Sequence, residues 1–309
     1  MRDLADKVRV AVVQATPVMF NKKQGVEKTV ELIEKAAEKN PDLIVFPELF
    51  IPGYPLGMHL GFSIGKRDEA GREDYKRYYD NSILVPGQET DVIGEACRRC
   101  GAYVSVGVSE RDPISGTLYN SNIVFRPDGT IDALHRKIKP TGSERTIWGD
   151  CHTKENYFPV TESPWGPMGV LICWESYMPL ARVALYEKGV TIYIEPNTND
   201  NPEWQDTIRH IAIEGRCFFI NADMVFHRDD YPADLRERRF VDELPEMVCR
   251  GGSCIVDPKG HYVTEPVWDR EEIIYADLDM QMVPASRMEF DPCGHYSRPD
   301  ILEFKVNDK

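Results

Sequence analysis

The chain is 309 residues long, with a formal net charge of −14 and eight cysteines. Such an acidic field, with its basic groups scattered, argues against a nucleic-acid partner, and no apolar run reaches the roughly 18–20 residues that span a bilayer. Thiols spaced this loosely, unlike the dense pattern of small secreted scaffolds, suit a reducing, cytoplasmic setting.

Residues 8–14 begin the pattern. Their apolar run is broken by Arg9 and is too short for the core of a signal peptide, so it predicts a first buried strand. Val26, Val30, Ile33 and Ala37 then recur at helical spacing through 26–40, and a strand follows over 43–46. A helix over about 91–99 carries Val92, Ala96 and Arg99 along one side and precedes the alternating run from Tyr103 to Val108. Strands over 120–126 and 130–135 flank Pro127-Asp128-Gly129, which is hairpin chemistry because glycine accepts the positive φ of such turns. Next come a strand over 168–172, a helix over 179–188 ended by Gly189, a strand over 191–194, a helix over 203–216 and a strand over 218–222. Asp257-Pro258-Lys259-Gly260 then repeats the hairpin device between strands over 253–256 and 261–264.

Crossovers mixed with hairpins predict mixed sheets. Strands that are apolar along their whole length need cover on both faces. Two sheets packed face to face with helices outside, a four-layer αββα sandwich of the α/β class, would supply it. The stretches 52–80 and 227–247 are rich in charge and aromatics and read as irregular insertions. No linker or repeat divides the chain, so residues 1–309 are expected to form one domain.

Three strand ends carry residues that would form a reactive set if the fold brings them together. Cys173 ends the run Gly169-Val170-Leu171-Ile172, Glu48 ends Leu43-Ile44-Val45-Phe46-Pro47, and Lys137 ends Ile131-Asp132-Ala133-Leu134-His135-Arg136. A free thiol is already a few per cent ionised at neutral pH, so complete ionisation would gain only about thirtyfold, or roughly 2 kcal/mol. A lysine about 4 Å away supplies up to roughly 4 kcal/mol at an effective dielectric near 20 and also stabilises charge developing on a substrate. Glu48 is expected to take protons from the thiol or from water, tuned upward by partial burial. Such a Cys-Glu-Lys set needs no metal and no cofactor. His135 lies on the same strand face as Lys137 and is a candidate for the wall of the site. Cys97-Arg98-Arg99-Cys100 stands without a second pair and reads as core thiols.

The segment from Leu43 to Pro55, centred on Phe46-Pro47-Glu48, resembles the glutamate motif of the nitrilase superfamily of carbon–nitrogen hydrolases. Leu134-His135-Arg136-Lys137 through Arg145 is similar to its lysine motif, and Ile172-Cys173-Trp174-Glu175 to the nucleophile motif of its true nitrilase branch. Arg209 to Cys217 and Gly294-His295-Tyr296-Ser297-Arg298-Pro299-Asp300 also look like that branch. Ser176 departs from the Asn or His that many nitrilases carry, and Val170 from a smaller or polar residue.

The resemblance implies hydrolysis of a small organic nitrile to acid and ammonia through a covalent thioimidate and thioester on Cys173. Lys137 and the backbone N–H of Trp174 would stabilise charge on nitrogen, and Glu144, matching a second family glutamate, would orient Lys137, Glu48 or the attacking water. Tyr54, Trp148 and Trp174 would shape an apolar pocket, bounded by the loops 54–65 and 197–204, the latter opening at Asn197. It further implies a homo-oligomer, from dimers to larger spirals, with residues 281–309 as an inter-subunit arm beyond a core of about 7–280. The competing activities are cyanide hydratase or dihydratase, and amidase or carbamoylase. The Trp174-Glu175 pair weighs against amidase and carbamoylase.

Overall fold

The computed structural model describes residues 4–152 and 156–307. Strand β1 (Lys7–Gln14) leads through helix α1 (Lys22–Ala37) to β2 (Leu43–Val45). A short hairpin, β3 (Phe62–Ser63) and β4 (Lys66–Arg67), and helices α2 (Glu69–Asp80) and α3 (Gln88–Cys100) follow. Strands β5 (Tyr103–Arg111), β6 (Leu118–Phe125) and β7 (Ile131–Arg136) complete the first half. The second half runs β8 (Val160–Ser163), β9 (Gly166–Val170), α4 (Pro179–Glu187), β10 (Ile192–Asn197), α5 (Trp204–Gly215) and β11 (Phe218–Asp223). It continues with β12 (Val225–His227), α6 (Arg238–Asp242), β13 (Met247–Val256) and β14 (Tyr262–Trp268). The chain then returns to the first sheet as β15 (Glu272–Asp279) and ends its regular structure with α7 (Met282–Arg287).

Two mixed sheets result. One has the order β15-β1-β2-β5-β6-β7, with β1, β2 and β5 parallel. The other runs β12-β13-β11-β10-β9-β8, with β14 also on β13 and with β9, β10 and β11 parallel. Strand alternation sorts the side chains into layers. Val10 and Val12 of β1 face Met168, Ile192, Ile194 and Ile220 of the second sheet, while Ala11 and Val13 face Ile33 of α1 and Ile93 of α3. On the far side, Tyr193 and Phe219 pack against Leu185 of α4 and Ile208 and Ile211 of α5. The molecule is thus an αββα sandwich, and the whole-strand apolarity seen in the sequence reflects cover on both faces.

Both hairpin turns form as read from sequence, with Gly129 and Gly260 at φ of 86° and 84°. The insertions are more ordered than expected. Residues 69–80 are helix α2, hidden in sequence because only Gly71, Asp74 and Tyr78 of it are buried. The helix is fixed instead by polar contacts: Asp68 caps it by accepting from the Gly71 N–H, and the Asp74 carboxylate accepts from the backbone N–H groups of Arg236 and Glu237. The two insertions therefore dock on one another, with the His59 ring stacked on Phe240 at 4.0 Å. Strand β15 also escaped the sequence pattern. It is an edge strand, recruited by continuous antiparallel register with β1 from Lys7↔Asp279 to Gln14↔Glu272.

Beyond α7 the chain has no helix or strand among the described residues, yet Cys293, Phe304 and Val306 pack on the α4–α5 core. All eight cysteines are free thiols, and Cys97 is buried in the α1–α3 core with Cys100 half-buried beside it. No helix among the described residues is long and apolar enough to cross a membrane.

Candidate active site

The ends of β2, β7 and β9 carry the charged and nucleophilic groups to one edge of the sandwich. Past β2 the chain runs Phe46-Pro47 to Glu48, whose side chain is fully buried. The Glu48 loop lies flat on β5 because position 107 is glycine. A Cβ there would stand 2.2 Å from the Pro47 carbonyl oxygen and 2.8 Å from the Glu48 Cα.

Lys137 follows β7 and is also buried. Its Nζ donates to Glu48 Oε1 at 2.8 Å and to Glu144 Oε2 and Oε1 at 2.9 and 3.1 Å. Burial alone would lower the pKa of Lys137, but the charges of Glu48, Cys173 and Glu144 hold it well above its usual value. Lys137 is therefore a fixed cation at any ordinary pH. Asn120 of β6, which the sequence did not single out, donates from Nδ2 to Glu48 Oε1 at 2.6 Å. Its carbonyl also accepts from the Lys137 backbone N–H at 2.8 Å, so one residue sets both partners. The second carboxylate oxygen, Glu48 Oε2, is buried and has no hydrogen-bond partner among the described residues. Burial pushes the Glu48 carboxyl up, opposed by Lys137 and reinforced by Glu144.

Glu144 sits in a one-turn 3-10 helix, Gly142–Thr146. Its Oε1 accepts from the Tyr54 hydroxyl at 2.7 Å and its Oε2 from the Thr141 N–H at 2.7 Å. Tyr54 and Trp148 have ring centroids 5.9 Å apart. Together with Glu144, Leu56, Met58 and Phe62 they line an open cleft of about 420 Å³. Of the carboxylate–lysine cluster Glu144 lines this cleft, whereas Glu48, Lys137 and Cys173 lie behind its lining residues.

Cys173 opens another 3-10 turn, Cys173–Tyr177, at φ 52°, in the left-handed region that a non-glycine residue enters at a cost of about 1–3 kcal/mol. Four contacts hold the turn. Glu175 Oε2 accepts from the Ile172 N–H at 2.7 Å and its Oε1 from the Ile138 N–H at 2.6 Å, tying the segment that follows β9 to the one that follows β7. Arg182 of α4 donates to the Ser176 carbonyl at 2.7 Å, and the Ser176 hydroxyl meets the Tyr193 hydroxyl at 2.9 Å. The Cys173 thiol is buried and pushed well up, by burial first and Glu48 second, while Lys137 opposes both.

The remaining sequence candidates are placed elsewhere. His135 shares the Lys137 face, and its ring nitrogens meet Glu175 Oε2 at 2.8 Å and the Tyr157 carbonyl at 3.2 Å, so it braces the carboxylate that holds the Cys173 turn. The Trp174 side chain is 48% exposed, packs on Tyr177 and does not line the cleft. Asn197 is buried at the end of β10, donating to Asn221 Oδ1 and Asp223 Oδ2 at 3.2 and 3.3 Å, also away from the cleft. Among the residues the sequence did not single out as functional, Asn120 had a usable signal: a polar side chain inside a strand buried on both faces. Glu175 drew attention only as part of a motif.

Residues 9–288 match the model of the family described as carbon-nitrogen hydrolase. The chain is 43% identical over 305 residues to an aliphatic nitrilase of Sinorhizobium fredii, covering 98% of this chain and 96% of that one. It is 40% identical over 310 residues to a bifunctional nitrilase/nitrile hydratase of Lupinus angustifolius, covering 98% and 87%. Among solved structures, a Saccharomyces cerevisiae member of branch 10 of the nitrilase superfamily superposes with a TM-score of 0.73 at 20% identity, over 96% of this chain and 98% of that one.

Gly107→Ala is expected to force the Glu48 loop off β5. Overpacking of about 1–3 kcal/mol would lower the melting temperature by roughly 2–10 °C. Scanning fluorimetry reads this directly, and an unchanged melting temperature would mean that the loop does not rest on Gly107.

Proposed function

The chain belongs to the carbon–nitrogen hydrolase family, and on that footing we propose that it is a nitrilase, converting an organic nitrile and two waters to a carboxylic acid and ammonia. The observation that carries this reading is the buried Glu48–Lys137–Glu144 cluster beside a cysteine held at positive φ, in a chain so close to a nitrilase.

Cys173 sulfur attacks the nitrile carbon while its proton passes to Glu48 Oε2, the carboxylate oxygen with no partner. The nitrile nitrogen gains the electron pair and then that proton, giving a thioimidate. Lys137 and the backbone N–H of Trp174 stabilise the charge on nitrogen as it forms. Glu48 next takes a proton from a water that adds to the same carbon and passes it to nitrogen; it then relays the remaining hydroxyl proton of the tetrahedral intermediate to nitrogen as the carbonyl forms, so that ammonia leaves and a thioester remains. A second water, activated in the same way, releases the acid and restores the thiol. Glu144 orients Lys137 and, through Tyr54, the cleft side of the site. Metal and cofactor have no part in these steps.

A second outcome follows from one branch point. If the tetrahedral intermediate expels sulfur before ammonia, the product is the amide, the branch that the name of the lupin relative reports for that protein. The Leu56, Met58, Phe62, Ile147 and Trp148 side chains on the cleft support nitriles with an apolar side group. We place the enzyme in the cytoplasm on the reading of its free thiols, as one domain over residues 1–309. We also read it as a homo-oligomer. Tyr177, Met178 and Leu180 around the start of α4, Ile213 of α5, and Tyr296, Ile301 and Leu302 of the terminal arm are large apolar side chains left exposed, which supports that reading.

Three experiments test these readings. Cys173→Ala is expected to release no ammonia from any of a panel of aliphatic and arylaliphatic nitriles, with Glu48→Gln and Lys137→Ala losing at least a hundredfold in kcat; wild-type-like turnover by the Cys173 variant sinks the mechanism. Asn120→Ala removes a bond that favours the Glu48 carboxylate, so the Glu48 pKa rises and the acid limb of kcat/KM should move to higher pH. A limb that moves down or stays would remove Asn120 from the tuning of the base. Leu180→Glu should shift the assembly towards smaller species in light scattering after size exclusion, and a monomeric wild type would count against oligomer formation.

A further inference from the structure

Glu195 lies near the end of β10, the strand paired with β9 that leads to Cys173. Ile192 and Ile194 turn into the core between the sheets, so Glu195 shares the helix-side face with Tyr193. It is fully buried. Its Oε2 accepts from the Trp204 indole N–H at 3.1 Å, and its Oε1 has no hydrogen-bond partner among the described residues. Trp204 packs edge-on against Tyr177 with centroids 4.5 Å apart, and Tyr193 meets Ser176. Ser176 and Tyr177 belong to the turn that opens with Cys173, so Glu195 stands directly behind that turn.

No cation among the described residues is paired with it. Lys137 is the cation that faces it from the first sheet, and that ammonium is engaged by Glu48 and Glu144. Glu48 opposes ionisation of Glu195, and Lys137 favours it. From the nucleophile turn Cys173 faces it, and from β10, β11 and β13 Tyr193, Asp223 and Cys254 do so; burial raises the pKa of all four, and a negative charge on Glu195 raises each further. An unpaired buried carboxylate costs several kcal/mol, so the resting group is the neutral acid.

We propose that Glu195 is a positioning residue for Cys173: as the neutral acid it supports the nucleophile turn without adding charge, and its ionisation shuts the site by placing another anion beside the sulfur. The proposal rests on Cys173 being the nucleophile. Burial, opposed by the Ser176 hydroxyl and the Trp204 indole, pushes the Glu195 pKa up to about 8. Its negative charge in turn raises the Cys173 thiol, which disfavours the thiolate. Since Lys137 keeps its proton far above that pH, Glu195 is the group that ends activity on the alkaline side.

The test is the pH profile of wild type, Glu195→Gln and Trp204→Phe. Wild-type kcat/KM for the best nitrile of the panel should fall about tenfold between pH 7 and pH 9, one unit beyond the titration. Glu195→Gln, which cannot ionise, should lose less than about twofold over the same span. Trp204→Phe removes a bond that favours the carboxylate, so its alkaline limb should move to higher pH, and this variant decides the matter if the glutamine variant fails to fold. In parallel, the rate of iodoacetamide modification of Cys173, followed by intact mass, should reach its half-maximum at lower pH in Glu195→Gln than in wild type. That shift without turnover of any nitrile would uphold Glu195 and reject the nitrile-hydrolysing reading. Profiles that coincide in all three proteins overturn the role of Glu195.

Discussion

One ammonium group, held dry between two carboxylates, is the interaction on which the rest of the site depends. Taking an ammonium out of water costs several kcal/mol, and three carboxylate contacts at Lys137 offset that cost only because their geometry is imposed from outside. The end of β7 supplies the lysine, the β2 loop supplies Glu48, and the turn after the lysine strand supplies Glu144. Buried ion pairs contribute little to stability on balance, so a cluster so fully enclosed is better understood as stored electrostatic potential acting on the Cys173 thiol. That potential leaves one oxygen of Glu48 unengaged and the thiol of Cys173 protonated at rest.

The strain at Cys173 fits the same design. A left-handed non-glycine residue persists only where its surroundings over-determine it. Glu175 binds backbone N–H groups just past two different strands, and Arg182 holds the far end of the turn. The third residue of the Cys-Trp-Glu motif is thus a strut between the two halves of the sandwich, and His135 is its brace.

The layered fold was legible in sequence wherever local periodicity and burial agree: the parallel strands are apolar throughout, the α1 and α5 helices keep their stripes, and two Asp-Pro or Pro-Asp turns mark hairpins. Helix α2 was hidden because its fixing contacts are polar and come from residues more than a hundred and fifty positions away. Strand β15 was hidden because an edge strand owes its existence to its partner. At the site, residue types at strand ends indicated Glu48, Lys137 and Cys173, and the family resemblance added Glu144. What spacing could not convey was side-chain direction across the sandwich: His135 and Lys137 share a face, yet one meets Glu175 and the other Glu48. Gly107 is legible only once the loop that crosses it is known.

The Tyr54–Glu144 bond joins the cleft to the charged cluster, and this has a consequence for anyone wishing to redesign the protein. The cleft is built from two segments, 54–62 and 143–148, whereas Lys137 and Glu48 follow strand ends. The side chains of Leu56, Met58, Phe62 and Ile147 line the cleft and, being apolar, make no hydrogen bond to the cluster, so a combinatorial library at those four positions explores cleft shape while leaving the charged side chains in place. Tyr54 is the boundary stone of such a library: it belongs to the wall by its ring and to the chemistry by its hydroxyl.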